Sequence, residues 1–365
     1  MTAPIPPSSS GDGSSHRDAL AEALRAGRHP WRDCRLEPLD DTGLAHAHIR
    51  LHGHAALARI PKQSQMNLAP RDNLLYEVGC FEQAAASGHT PRLLAVLQVS
   101  PGLPHGALIV EEIVGRAAAL PRDLHAIGQA LAALHRLPLP ESTARRPLQD
   151  AADPLRELLA EIETQAAYVM QADLSGIALD AIAAELDRLR KLCTRAARPP
   201  RHLISFDAHP GNFLIDRDGR AVLVDLEKCR YSHASLDLAH ATLYTSTTWS
   251  PASAAVLSPA DVIGFYRAWA EAFGALAASE RAWHLPLRSA MWLWSITWCA
   301  KWRVLSRRSR HPGGMPGEDW SADLSDRQLV AHVQERVDHY LGARGIAFVR
   351  EEFIALAPSL GDQAA

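Results

Sequence analysis

Hydrophobic positions along this chain change their period about a third of the way through. Short apolar runs at 36–39, 45–51 and 55–60 predict three strands, broken by turn-forming residues. His52-Gly53-His54 between the second and third is a tight-hairpin signal, and Pro61 stops the third. Residues 73–87 carry apolar side chains at helical spacing and end at Gly88, a helix C-cap signal. Runs at 92–99 and 107–110 predict two more strands, and 17–26 predicts a helix ahead of them all. From residue 123 onward helical periods dominate: 123–137, 153–171, 178–197, 236–244, 259–273, 284–306 and 325–341. A strand pair between 203 and 225 interrupts them. The expected class is α+β, a small sheet with one inserted helix followed by a helical half, with the boundary near Val114-Gly115. The expected division is a disordered tail over 1–16, a sheet lobe over 17–114, a helical lobe over 115–350 and a C-terminal tail over 351–365.

Composition narrows the class. The chain has 365 residues with 38 basic and 41 acidic side chains, a net charge of −3, which speaks against a nucleic-acid-coating surface. The most apolar late segment, 285–305, carries Arg288, Lys301 and Arg303, so a buried helix is expected there and no membrane span. Five cysteines without a C-x-x-C pair suit neither a zinc site nor a disulfide framework, and fit a reducing cytoplasm.

The candidate chemistry sits in the strand pair. An apolar run ends at Asp207, the polar turn His209-Pro210-Gly211-Asn212 follows, and a second apolar run begins at Phe213. A further run, Ala221 to Val224, ends in Asp225-Leu226-Glu227. Phosphoryl transfer from a nucleotide needs a carboxylate to take the proton of an attacking hydroxyl, and hard oxygen ligands to hold magnesium against the phosphates. Asp207 suits the first task and Asn212 and Asp225 the second, at the D-x-x-x-x-N spacing of a kinase catalytic loop. Gly211 is expected to permit the sharp turn.

Four motifs carry a family resemblance. They are Asp207-Ala208-His209-Pro210-Gly211-Asn212, Val224-Asp225-Leu226-Glu227, Leu236-Asp237-Leu238-Ala239 and Leu134-His135-Arg136-Leu137. In this order the chain resembles the aminoglycoside phosphotransferase/choline kinase family, the small-molecule relatives of protein kinases. The resemblance implies a two-lobed protein-kinase-like fold, with a small antiparallel-sheet N-lobe and a mostly helical C-lobe. It implies ATP or GTP as donor, Mg2+ as cofactor, and a hydroxyl of an amino alcohol, an aminoglycoside-like cation or a related metabolite as acceptor. It further implies a strand-three cation on the phosphates, Arg59 with Lys62 as the alternative, and Glu77 as its ion-pair partner. Gly43 would belong to a phosphate-covering loop, and the backbone near Glu112 and Val114 would read the base edge. Asp237 and His209 are expected to brace the catalytic loop; Glu227 either touches metal or substrate or caps its turn. The chain departs from the family pattern at Ser205 and Phe206, where His and Gly are usual. That departure, with the single glycine of the phosphate loop, motivates the alternative of a nucleotide-binding pseudokinase with a regulatory or scaffolding role.

Two further constellations have bland explanations that the sequence favours. His46, His48, His52 and His54 alternate along a hairpin, expected to be solvated and not a metal site. Trp294, Trp298 and Trp302 recur every four residues on one helical face, expected mainly as core, with an aromatic cage for a cation as the alternative.

Overall fold

The computed structural model describes residues 11–39, 46–308 and 327–361. Helix α1 (Gly11–Ala26) precedes strands β1 (Leu36–Pro38), β2 (His46–Leu51) and β3 (Ala56–Pro61). Helix α2 (Pro70–Ala84) follows, then β4 (Leu93–Leu97) and β5 (Ala107–Glu111). The five strands form one antiparallel sheet in the order β1-β2-β3-β5-β4. Gly53, at φ +82, supplies the left-handed residue that turns β2 into β3. The two-residue side-chain period of β5 feeds both faces of the sheet. Leu108 and Val110 join the core beneath α2, while Ala107 and Ile109 join Leu20 and Leu24 of α1 on the other face.

The second part contains β6 (Gly115–Ala117), α3 (Leu124–His135), α4 (Pro154–Ala166), α5 (Gly176–Thr194), β7 (His202–Ile204), β8 (Phe213–Asp216), β9 (Ala221–Leu223) and β10 (Arg230–Ser232). It ends with α6 (Ala234–Thr242), α7 (Tyr244–Thr247), α8 (Pro259–Phe273), α9 (His284–Arg308), α10 (Arg327–Tyr340) and α11 (Ala343–Leu360). Sequence signals set several helix starts. Pro259 takes the first turn of α8, and Ser258 and Asp261 form a reciprocal capping box. Asp153 and Ser175 cap α4 and α5 through the amides of Arg156 and Ala178. The strands form nested antiparallel pairs: β8 lies between β6 and β9, and β7 pairs with β10. The loop after β7 and the loop after β9 therefore emerge side by side.

This is the α+β arrangement the period change predicts, with two corrections at the ends. Residues 11–16, expected in a tail, form the start of α1. Residues 351–360, expected as a second tail, complete α11, where Leu356 and Leu360 enter the core. Glu352 pairs with Arg288 of α9, whose side chain is fully buried and also donates to the Thr242 hydroxyl at 2.7 Å. A buried guanidinium demands such partners, and this pair fastens α11 to the helical core. No described helix is long and apolar enough to cross a membrane. All five cysteines are free thiols.

Candidate active site

A cleft of about 910 Å³ lies between the sheet and the helical part. Its floor is made by the two neighbouring loops, because Val224 donates its amide to the Asn212 carbonyl at 2.9 Å and so continues the β8–β9 ladder to the site. Asp207, Asn212, Asp225 and Glu227 all line it.

The Asp207 loop is braced from behind. Asp237, fully buried, accepts from the backbone amides of Ser205 and Phe206 at 2.7 and 2.8 Å and contacts His135 Nε2 at 3.0 Å. Trp269 donates its indole N–H to His135 Nδ1 at 3.1 Å. An indole nitrogen only donates, so Nδ1 accepts and the proton of His135 faces Asp237. Ser205, where the family has His, accepts the amide of Asp207 on its hydroxyl at 3.2 Å. Phe206, where the family has Gly, sits at φ +60. A left-handed backbone is costly for a residue with a side chain. The ring is fastened there: Arg230 lies 3.7 Å over its face and Trp294 meets it edge-on at 5.2 Å. Glu161 joins the set, accepting from Arg230 at 2.6 Å and from Trp294 at 3.1 Å.

Gly211 is needed for a different reason than a turn angle. It has no positive φ; a Cβ on it would stand 2.9 Å from the Ser250 Cβ and from the His209 ring. His209 accepts the Gly211 amide on Nδ1 at 3.1 Å and so caps the short turn. Asn212 donates its side-chain amide to the Asp207 carbonyl at 2.8 Å. With the nitrogen so engaged, its oxygen is the atom left to serve as a ligand.

Charge at the base is balanced by a residue the sequence reasoning missed. Lys228 donates to Asp207 Oδ2 at 2.9 Å. Burial is the largest single influence and works against ionisation of Asp207, but the Lys228 ammonium and its hydrogen bond, with the neighbouring His209 and His240 rings, jointly outweigh it and hold the carboxyl well below its usual range. The available signal was a lysine directly after Asp225-Leu226-Glu227, one residue beyond the motif. His240 stands 3.8 Å from the other oxygen, and burial lowers its pKa to about 4, so it is neutral.

The nucleotide side differs from expectation in three ways. Arg59, not Lys62, is the β3 cation that lines the cleft, but its partner is Asp225: Nη2 donates to Oδ1 at 2.8 Å, and Nη1 to the Val224 carbonyl at 3.0 Å. Glu77 does not meet Arg59 directly. His46 stands between them, with Nε2 3.1 Å from Glu77 and Nδ1 3.5 Å from Arg59. His46 is thus buried, not a solvated hairpin residue; only His52 and His54 of the four histidines are exposed. Asn73 also donates to Glu77, at 2.8 Å, and the fixed carboxylate orients the imidazole. Val114 lies outside the cleft and is exposed, whereas Val110, Glu111, Glu112 and Ile113 line it. The Glu112 amide already donates to the Ala55 carbonyl at 3.1 Å, and its carboxylate accepts from Arg50 at 2.6 Å. Gly43 lies outside the described residues.

His46, Glu77 and Glu227 lie close enough together to suggest a metal site. Two features oppose it. The carboxylates address opposite ring nitrogens, Glu227 meeting Nδ1 at 3.4 Å, and the Arg59 cation stands beside that same nitrogen. Burial, and then the nearby Asp225, hold the Glu227 carboxyl well above its ordinary pKa, so a cation there would first have to displace its proton. Asp225 is the opposite case: burial opposes its charge most strongly, but Arg59, through its charge and hydrogen bond, and His46 together outweigh burial, and the carboxyl is held below its usual range. Asn212 and Asp225 offer hard oxygens, a donor set that fits magnesium.

The tryptophan stripe divides. Trp292 and Trp302 are core, while Trp294 and Trp298 line the far end of the cleft together with Trp249 and Tyr340.

Comparison with known proteins agrees with this geometry. Residues 58–287, more than half of the chain, match the profile described as "Phosphotransferase enzyme family". No curated protein sequence matches. Many solved structures share the fold, and three serve as examples. A choline/ethanolamine kinase family protein from Mesorhizobium loti is 20% identical, with a TM-score of 0.54 over 92% of this chain and 99% of that one. The GDP complex of aminoglycoside 2'-phosphotransferase-IIIa is 13% identical, with a TM-score of 0.58 over 89% and 98%. An ethanolamine kinase from Plasmodium vivax is 13% identical, with a TM-score of 0.59 over 90% and 87%.

Proposed function

This chain belongs to the phosphotransferase enzyme family, and from that premise we propose that it moves the γ-phosphoryl group of ATP or GTP to a hydroxyl of a small molecule. The observation that carries the reading is the placement of Asp207 and Asp225 on adjacent loops at the floor of one cleft, with Asn212 between them, its side-chain amide on the Asp207 carbonyl and its backbone carbonyl on the Val224 amide. Asp207 takes the proton of the acceptor hydroxyl, and its low pKa keeps it ionised for that role. Lys228 keeps the carboxylate oriented. Asn212 and Asp225 would hold magnesium, which when bound neutralises phosphate charge as the leaving group departs. Arg59 leaves Asp225 for the phosphates, and His46 and Glu77 hold it in reach. Donor identity is open to both nucleotides; the aminoglycoside phosphotransferase among the similar structures holds GDP.

One observation favours the regulatory alternative: Arg59 and Asp225 neutralise each other, as in a site closed to Mg-nucleotide. Calorimetric titration with ATP and GTP, with and without magnesium, decides between them. Magnesium-dependent binding by the native chain that Asp225→Ala abolishes, with nucleoside diphosphate release that Asp207→Asn abolishes, is the kinase outcome. Binding indifferent to magnesium and to Asp225, without turnover, is the pseudokinase outcome.

A further inference from the structure

The end of the cleft beyond Asp207 is built from two kinds of surface. One is aromatic and held rigidly. Trp249 and Trp298 meet edge-on at 6.0 Å, and Trp249 and Tyr340 lie nearly parallel at 6.4 Å. Trp294 donates to Glu161, Tyr340 bonds the Thr248 hydroxyl at 2.9 Å, and the backbone carbonyl of Trp249 meets His332 Nε2 at 2.7 Å. Such rings offer flat apolar faces with little ordering left to do on binding.

The other surface is hydroxylic. Thr245 and Ser246 of α7 line the cleft, are more than nine-tenths buried, and find no hydrogen-bond partner among the described residues. Thr242 and Thr248 bond back to the carbonyl four residues earlier, while the hydroxyl of Thr247, beside them but not lining the cleft, is also without a partner among the described residues. A buried hydroxyl left unpaired is costly, so a pair of them beside a cleft calls for a ligand that brings its own donors and acceptors. Ser250 and Ser295 extend the same polar lining.

The charges here nearly cancel. Asp207 is the one carboxylate lining this end among the described residues, and Lys228 already holds it. His240 is neutral by burial. A compound with several ammonium groups would face indoles and hydroxyls with no free carboxylate among the described residues to meet them. A trimethylammonium group would satisfy the indoles by cation–π attraction but present methyls to Thr245 and Ser246.

Resting on the kinase reading, we propose that the acceptor is an uncharged, polyhydroxylated ring compound of the glycoside class, which stacks an apolar face on one of Trp249 and Trp298, meets the other at its rim, and bonds Thr245 and Ser246 through ring hydroxyls. Transfer forms a bond between the oxygen of one hydroxyl on the ring and the γ-phosphorus and breaks the bond from that phosphorus to the β–γ bridging oxygen. The hydroxyl proton goes to Asp207, and nucleoside diphosphate leaves.

Two measurements test this. Tryptophan fluorescence of the full chain is titrated with methyl and phenyl glucosides, kanamycin and choline, without nucleotide. Diphosphate release is then followed for the same panel with magnesium and ATP or GTP. The proposal expects a glucoside to bind and turn over. It also expects Trp298→Leu, and separately Thr245→Val with Ser246→Ala, to raise KM at least tenfold with kcat within twofold; Trp298→Phe should recover most of the loss. Tighter binding and faster turnover of kanamycin or choline overturns it, and so does the absence of any glucoside binding. Failure of Mg-nucleotide to bind sinks the kinase reading instead, while the fluorescence titration still decides the acceptor site.

Discussion

Arg59 and Asp225, the residues suited to the phosphates and to the metal, hold each other at 2.8 Å. Each must exchange the other for a part of the Mg-nucleotide, so their mutual attraction opposes binding while their separate contacts favour it. Arg59→Met removes both effects at once. Because a hydrogen bond to a charged group contributes about 1.5–3 kcal/mol net, nucleotide affinity should fall about 10- to 100-fold. Magnesium alone should bind the variant more tightly than the native chain, since Asp225 is released. Calorimetry with magnesium and no nucleotide checks this second, less obvious outcome.

Phe206 offers a sharper test of backbone strain. In an ordinary position glycine is worse than alanine. At φ +60 the order should reverse, with Phe206→Gly more stable than Phe206→Ala by about 1–2 kcal/mol. Both variants lose the Arg230 and Trp294 contacts, so their difference isolates the backbone. Urea denaturation of the two, compared directly, gives the sign.

The buried pair between α9 and α11 should behave as a unit. Glu352→Met alone leaves the Arg288 guanidinium buried without its counter-ion and should cost about 3–5 kcal/mol. Arg288→Met combined with Glu352→Met should cost much less, since neither charge remains. A chain ending at residue 350 should fare like the single variant or worse, having also lost Leu356 and Leu360 from the core. Denaturation midpoints of the three settle the ordering.

Acid should weaken the fold through its buried imidazoles. Burial, then Arg281, lowers the His284 pKa from 6.5 to about 4, and His284 Nδ1 meets the Ser235 hydroxyl at 2.9 Å. The folded form binds its proton later than the unfolded chain does. Stability is therefore intact above 6.5 and is lost as pH falls from there toward 4. His284→Asn should reduce the slope of stability against pH in that window by up to one proton, about 1.4 kcal/mol per pH unit. Denaturation at several pH values measures the slope.

What could be read from the chain was what lies close together along it. Asp207 to Asn212 and Asp225 to Glu227 are contiguous motifs bounded by apolar runs, and the hairpins that present them follow from period and turn residues. The rest is contact between distant segments. His46 becomes a link between Arg59 and Glu77 only because β2 lies beside β3 and α2 packs beneath them. An alternating histidine hairpin looks solvated until that packing is known. Lys228 reaches Asp207 across 21 positions, and Glu352 finds Arg288 across 64. A charged run such as Arg350-Glu351-Glu352 carries no local mark of a buried partner. Phe206 hides its strain for a related reason, since φ is a property of the loop that Asp237 imposes and not of the residue.

The β8–β9 hairpin fixes where this protein can be lengthened. Phe213 pairs with Leu223, so the site-facing end of the hairpin sets Asn212 against Val224, and an added residue in either strand would turn each following side chain to the wrong face. The opposite end is the exposed turn at Arg217, Asp218 and Gly219, where Gly219 takes φ +79 and has open space around it. A four-residue strand separates that turn from the floor of the cleft by about 13 Å. A reporter peptide spliced into the turn, or new chain ends opened there, would leave the spacing of Asp207 and Asp225 untouched.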